Sequence, residues 1–311
     1  MSGHQGIVVE GTGGVWLVRA TDGTQVNAAL AGRLKQEERS KIKLAVGDHV
    51  TVEPEETGQG WRITEIATRG NVLARREPGG RYGERVLAAN IDQVLVVFAI
   101  AKPEPHIRMI DRFLVVCESN ELKPHLVINK VELAESESVV DALAKPYEMA
   151  GYPVHRTSVP RGDGLEELRS VLHGKVTAVT GPSGVGKSSL LNRLHPGLNL
   201  RIGEISESVN KGRHTTVGAK LIPLPDGADG YLVDTPGLRE VGMWGLPSGA
   251  LDLCFPEFGP YLGECKFQDC AHDIEPSCAV RAALSKGVLN RGRYESYIKL
   301  LGELQDSEKT R

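Results

Sequence analysis

Residues 181–189 read Gly-Pro-Ser-Gly-Val-Gly-Lys-Ser-Ser, which satisfies the pattern G-x-x-x-x-G-K-[ST]. No other stretch of the chain restricts its fold as tightly. The pattern works where a strand ends, glycines turn consecutive backbone N–H groups towards a phosphate chain, and a helix begins with its positive end facing the same anion. Both flanks agree with that context. Val176 to Thr180 is β-rich, and Leu190-Leu191-Asn192-Arg193-Leu194 continues with good helix formers. Gly181, Pro182, Ser183, Gly184, Val185 and Gly186 form the cradle, Lys187 reaches the β- and γ-phosphates, Ser188 ligates Mg²⁺, and Ser189 completes the motif.

The chain around this motif has 311 residues, which at roughly 150 per domain predicts two domains or three small ones. Forty acidic residues against 37 basic leave a net charge of −3, so binding of nucleic acid through overall charge is excluded. The longest apolar run, Val94 to Ala101, is far short of the roughly 18 residues a membrane span needs. No membrane association is expected. The N-terminal Met-Ser-Gly-His-Gln-Gly has neither a basic nor an apolar targeting region, which gives the expectation of a cytoplasmic protein.

Three stretches follow from the patterning. Residues 1–70 carry short alternating runs broken by Gly11-Thr12-Gly13-Gly14 and Asp22-Gly23, about five strands that fit a small OB-type barrel. Residues 71–242 begin with an Arg-rich joint (Arg69, Arg75, Arg76, Arg81, Arg85) and then alternate apolar strands with helical periodicity, predicting an α/β domain with a mostly parallel sheet. Strands are predicted at Val94–Ile100, Leu126–Asn129, Val154–Ser158, Val176–Thr180 and Tyr231–Asp234. Ile107, Ile110, Leu114 and Cys117 recur at helical spacing, and a second helix ends at Gly151. Residues 243–311 hold a cysteine cluster and two helical patterns, a small α domain with too little core to stand without a metal staple.

The apolar strand Tyr231-Leu232-Val233 runs into Asp234-Thr235-Pro236-Gly237. Asp234 can hold the Mg²⁺ shell and Gly237 can offer its N–H to a γ-phosphate. The strand His125 to Ile128 runs into Asn129-Lys130-Val131-Glu132, close to the N-K-x-D of GTPases, in which a carboxylate accepts two N–H bonds from guanine. Thr157-Ser158 resembles the loop that supports the guanine O6. The base motif precedes the phosphate motif, so the order is that of a circularly permuted GTPase. Cys265-x₄-Cys270-x-His272-x₅-Cys278 offers three thiolates and an imidazole with no open position, the donor set of one structural Zn²⁺. Cys254 and Cys117 are expected in the core.

Together with Gly212-Arg213-His214-Thr215-Thr216 and Tyr261-Leu262-Gly263-Glu264-Cys265, these motifs resemble the RsgA (YjeQ) family along nearly the whole chain. The resemblance implies a late-acting assembly factor that binds the 30S ribosomal subunit and its 16S rRNA in the GTP state. It hydrolyses GTP when stimulated there, leaves in the GDP form, and is a monomer off the ribosome. It implies further that Thr215 or Thr216 completes the Mg²⁺ shell. Leu238 follows Asp-Thr-Pro-Gly where many GTPases place a water-orienting glutamine close by, which makes His214 the best candidate to orient the attacking water, the alternative being a histidine that only fills its loop. Between Ala279 and Gly302 five cations stand against one acid, a candidate phosphate-contacting face.

Overall fold

The structure, a computed structural model, describes residues 3–32, 34, 43–55, 60–76, 84–198, 200, 219–225, 229–234 and 246–309. Five strands, β1 (His4–Thr12), β2 (Val15–Ala20), β3 (Gln25–Leu30), β4 (His49–Pro54) and β5 (Trp61–Ile66), close into a barrel in the order β1-β2-β3-β5-β4. Closure is made by the parallel pairing of β3 with β5, from Ala28↔Trp61 to Leu30↔Ile63. Alternating residues point inward, so Val8, Val18, Ala28, Val50, Val52 and Ile63 fill the interior, while Trp16, Val26 and Trp61 close over it. The barrel expected over residues 1–70 is present.

The Arg-rich joint contains more structure than a linker. β6 (Val72–Arg76) and β7 (Glu84–Ala89) form an antiparallel pair, anchored where the N–H of Ala89 donates to the Val46 carbonyl. Arg69 is no free cation, because its Nε and Nη2 donate to the two oxygens of buried Asp48 at 2.6 and 2.7 Å. Asp48 in turn accepts from the N–H of Ala45, so the pair holds the chain entering β4.

The α/β elements run β8 (Gln93–Ala99), α1 (Ile107–Glu118), β9 (Pro124–Asn129), α2 (Glu137–Met149), β10 (Val154–Thr157), α3 (Leu165–Leu172), β11 (Val176–Thr180), α4 (Lys187–Leu194), β12 (Lys220–Pro223) and β13 (Tyr231–Asp234). Five of the six strands lie where the sequence predicts strands. β12 does not, because a four-residue edge strand ending in Pro223 carries almost no periodic signal. Ile110, Leu114 and Cys117 are buried on α1, whereas Ile107, in the first turn, stays 43% exposed. α2 ends as Gly151 predicted. Gly151 has φ +92°, its N–H bonds the Glu148 carbonyl, and the Tyr152 N–H reaches back to Tyr147, the pair of bonds that closes a helix on a left-handed residue.

The described residues form two compact units. The first combines the barrel, the β6–β7 hairpin, and β11 paired parallel to β13, which carries β12 antiparallel on its other edge. The second holds β9 flanked by β8 and β10, all parallel, with α1, α2, α4 and the C-terminal region. That region runs through 3₁₀ turns at Ser248–Ala250, Asp252–Cys254 and Pro256–Tyr261 into α5 (Ala279–Ser285) and α6 (Arg291–Lys309). Phe255, Phe258, Val280, Tyr297 and Leu300 form its core, and Cys117 and Cys254 are buried as expected.

Candidate functional site

The carboxyl ends of β9 and β10 lie in register, Thr157 opposite Asn129, and the loop 181–186 meets them there. Glycine is required at two points of that loop. A Cβ on Gly181, at φ +136°, would lie 2.0 Å from the Val97 carbonyl oxygen. On Gly186, at φ +95°, it would lie 2.6 Å from the side-chain nitrogen of Asn129. Lys187 opens α4 and is buried, its Nζ donating to the carbonyls of Gly181 and Pro182 at 3.0 and 2.7 Å. Ser188 is buried one residue further on, while Ser183 and Gly184 are exposed.

Asn129 uses both ends of its amide. Nδ2 donates to the Val185 carbonyl at 2.9 Å, and Oδ1 accepts from the Thr157 hydroxyl at 3.0 Å. Lys130 adopts a left-handed backbone, φ +62°, and its Nζ donates to the Gly184 carbonyl at 2.6 Å and to that of Lys102. Base motif and phosphate loop are therefore bonded through two adjacent side chains. Val131–Leu133 forms a 3₁₀ turn, and Oε2 of Glu132 is buried with no hydrogen-bond partner among the described residues. An orphaned carboxylate oxygen at this place fits a ligand that brings N–H donors, as guanine does.

Ser158 is buried and shapes its own loop, accepting from the N–H of Arg161 through Oγ and from that of Gly162 through its carbonyl. The Arg161 guanidinium reaches the Glu132 carbonyl at 3.4 Å. Sequence reasoning missed Lys102 and Arg161. Lys102-Pro103-Glu104-Pro105 following a buried strand was a turn signal, but its partner 28 residues on was not legible. His214, Thr215, Thr216 and Gly237 lie outside the described residues; Asp234 ends β13, and its side chain lies outside them too.

The second cluster lies in the C-terminal region. One ligand atom from each of Cys265, Cys270, His272 and Cys278 lies within 4.8 Å of the others. Cys265 Sγ is 3.6 Å from His272 Nδ1 and 3.9 Å from Cys278 Sγ, and His272 Nδ1 is 3.4 Å from Cys278 Sγ. A tetrahedral zinc site with bonds of about 2.0–2.3 Å sets its ligand atoms roughly 3.5–3.8 Å apart. The residues fit the metal. Surrounding groups orient them: His272 Nε2 faces Asp252 at 3.4 Å, and the N–H groups of Ala279 and Arg281 donate to the sulfurs of Cys265 and Cys278.

Of the five cations between Ala279 and Gly302, Arg281, Lys286, Arg291 and Lys299 are exposed, but Arg293 is buried among carboxylates and contributes nothing to a phosphate-contacting face. No described helix is long and apolar enough to cross a membrane.

Residues 66–244 match the RsgA GTPase family model. The small ribosomal subunit biogenesis GTPase RsgA of Gemmatimonas aurantiaca is 56% identical over 300 residues, 96% of this chain and 97% of that protein. The protein of the same name from Caldanaerobacter subterraneus subsp. tengcongensis is 38% identical over 99% of this chain and 98% of its own length. Among solved structures, YjeQ from Thermotoga maritima superposes with a TM-score of 0.81 at 35% identity, covering 97% of this chain and 99% of that one. YloQ, described as a circularly permuted GTPase, gives 0.77 at 27%, covering 98% of this chain and 96% of its own. In this chain the base motif precedes the phosphate loop and is bonded to it, and the chain belongs to the RsgA GTPase family.

Proposed function

We propose that this GTPase is a nucleotide-controlled assembly factor of the small ribosomal subunit. It binds the 30S particle and its 16S rRNA in the GTP state, hydrolyses GTP when the particle stimulates it, and leaves in the GDP form. It works in the cytoplasm and is a monomer off the ribosome. The names of its relatives support the partner. The observation that carries the nucleotide reading is the buried, unpartnered Glu132 oxygen beside a base loop bonded to the phosphate loop through Asn129.

In this reading Glu132 accepts two N–H bonds from guanine, Thr157 and Ser158 hold the loop that faces O6, and Val131 lines the base side. Asn129 and Lys130 keep that loop in register with Gly181, Pro182, Ser183, Gly184, Val185 and Gly186, whose N–H groups receive the phosphates. Lys187 exchanges its two carbonyl partners for β- and γ-phosphate oxygens. Mg²⁺ supplies charge neutralisation across those oxygens. Ser188, Asp234 and Thr215 or Thr216 hold its shell, Ser189 supports the turn, and Gly237 donates its N–H to the γ-phosphate. His214 orients the attacking water and is the catalytic residue. Cys265, Cys270, His272 and Cys278 hold one Zn²⁺, which staples the C-terminal region and takes no part in hydrolysis.

GTP turnover measured with purified 30S, with 50S and without particles tests this function. Acceleration by 30S alone supports it. A rate indifferent to 30S, with binding the same for GDP and a non-hydrolysable GTP analogue, leaves a binding module whose hydrolysis is incidental.

A further inference from the structure

Arg293 sits on α6 at 2% exposure, and every polar edge of its guanidinium is used. Nη1 donates to Asp111 Oδ1 of α1 at 2.7 Å, and Nε and Nη2 donate to the two Glu257 oxygens at 2.8 and 3.1 Å. Its faces lie 4.6 Å from the Phe255 ring centroid and 5.6 Å from those of Tyr147 and Tyr152. One side chain thus joins α1, the end of α2 and the 3₁₀ turn Pro256–Tyr261. Only arginine has the planar fork and faces for this set of contacts.

The same helix holds the cysteine cluster. Tyr294 OH donates to the His272 carbonyl at 2.7 Å, and Tyr297 OH to that of Ala271 at 2.8 Å. Phe258 packs edge-on against His272 and against Tyr297. On the other side, α1 follows directly on the loop whose Lys102 carbonyl accepts from Lys130, the residue bonded to the phosphate loop. A path therefore runs from Gly184 through Lys130 to Lys102, along the chain from 103 to 106 into α1, and through Asp111 and Arg293 to the residues that carry the metal ligands.

The network is also incompletely satisfied. Among the described residues, Asp111 Oδ2 and the hydroxyls of Tyr147 and Tyr152 are buried without a hydrogen bond of good geometry, the Tyr147 hydroxyl facing Asp111 and that of Tyr152 facing Glu118. Leaving such contacts open is costly, and a small shift of α1 that closes Tyr147 onto Asp111 and Tyr152 onto Glu118 would relieve that cost. Two close-lying arrangements are what a coupling element requires.

We propose that Arg293 is a positioning residue that couples the Cys265–Cys270–His272–Cys278 metal site to the nucleotide pocket, so that nucleotide binding and metal retention reinforce each other. The route runs through Lys130, α1 and Arg293 and does not use the chain segment joining β13 to the C-terminal region. It rests on the reading of both sites given above.

Zinc-loaded protein is mixed with a chromogenic chelator, and the rate of zinc release is read with and without saturating GDP, whose binding is followed separately by a fluorescent analogue. In the wild type GDP is expected to slow release about five-fold or more, and zinc removal to weaken GDP binding by the same factor, since coupling is reciprocal. Arg293→Lys keeps the charge but loses the fork, and is expected to bind GDP and zinc with the two effects no longer linked. Should that variant not fold, Tyr294→Phe with Tyr297→Phe cuts the same route at its other end by the loss of two hydroxyls. GDP that binds the wild type and leaves zinc release unchanged overturns the coupling, as does coupling that survives in a folded variant. GDP that does not bind at all overturns the nucleotide reading beneath it.

Discussion

Asn129 Nδ2 donates to the Val185 carbonyl at 2.9 Å across 56 residues of chain, while Asn129 Oδ1 accepts from Thr157. The amide is an internal brace, and the proposed base selection rests on Glu132. Asn129→Ala leaves two buried groups unpaired, at about 1–3 kcal/mol each. The expected result is a lower melting temperature together with GDP affinity weakened by roughly tenfold or more, read by thermal unfolding and fluorescent-GDP titration. Unchanged affinity would remove the brace from the binding site.

Glu132 has the buried free oxygen, so Glu132→Ala is expected to lose the preference for GTP over ATP, and Glu132→Asp to keep it. Two charge-assisted bonds are at stake, each of about 1.5–3 kcal/mol. Competition by unlabelled ATP and GTP against a labelled nucleotide measures the ratio. Equal displacement in the wild type refutes the guanine assignment.

One zinc per chain is expected in freshly purified protein. Cys270→Ser, or chelation, should lower the melting temperature of the C-terminal region, because the ligand-bearing stretch 265–278 has no helix or strand of its own and relies on the metal beside its packing on Phe258 and Tyr297. Metal analysis without stoichiometric zinc refutes the assignment.

His214→Ala is expected to slow 30S-stimulated hydrolysis by on the order of 10² to 10⁴ while nucleotide affinity stays within a few-fold. Single-turnover kinetics with 30S separate the two. Wild-type turnover in the variant returns His214 to a loop position without catalytic role.

His125 and His155 predict an acid-sensitive stability. Their rings stack at 5.3 Å, His125 Nδ1 lies 3.0 Å from His155 Nε2, and His155 Nδ1 lies 3.0 Å from Glu167. Burial, then the neighbouring His155, pushes His125 down to about 4. The folded protein keeps His125 neutral where the unfolded chain takes up a proton, so stability falls as pH drops below about 6.5 and the loss levels off near 4. His125→Asn should flatten the melting-temperature profile over that window. A profile with the wild-type slope assigns the sensitivity to other groups.

The parts that could be read from sequence are those whose geometry is set by near neighbours along the chain. A phosphate loop needs glycines at positive φ between a strand and a helix, and Gly181, Gly184 and Gly186 supply them within six residues. The cysteine cluster closes within 14 residues, and strands such as Val94 to Ala99 announce themselves as unbroken apolar runs. Motif order needs no coordinates, so the permuted arrangement was visible too. Charge partners were not. Arg293 counted as one cation of a basic face until the fold placed it against Asp111, 182 positions away, and Arg69 counted as part of an Arg-rich joint until it met Asp48. Whether a charged side chain faces water or a buried carboxylate depends on which distant surfaces pack together, and local periodicity carries no record of that choice. The phosphate loop, the metal donors and the alternation that makes the α/β core are thus written in short stretches of chain. Long-range packing alone makes Asn129 a brace, leaves Glu132 Oε2 buried without a partner among the described residues, and brings α6 against α1 and the cysteine cluster at once.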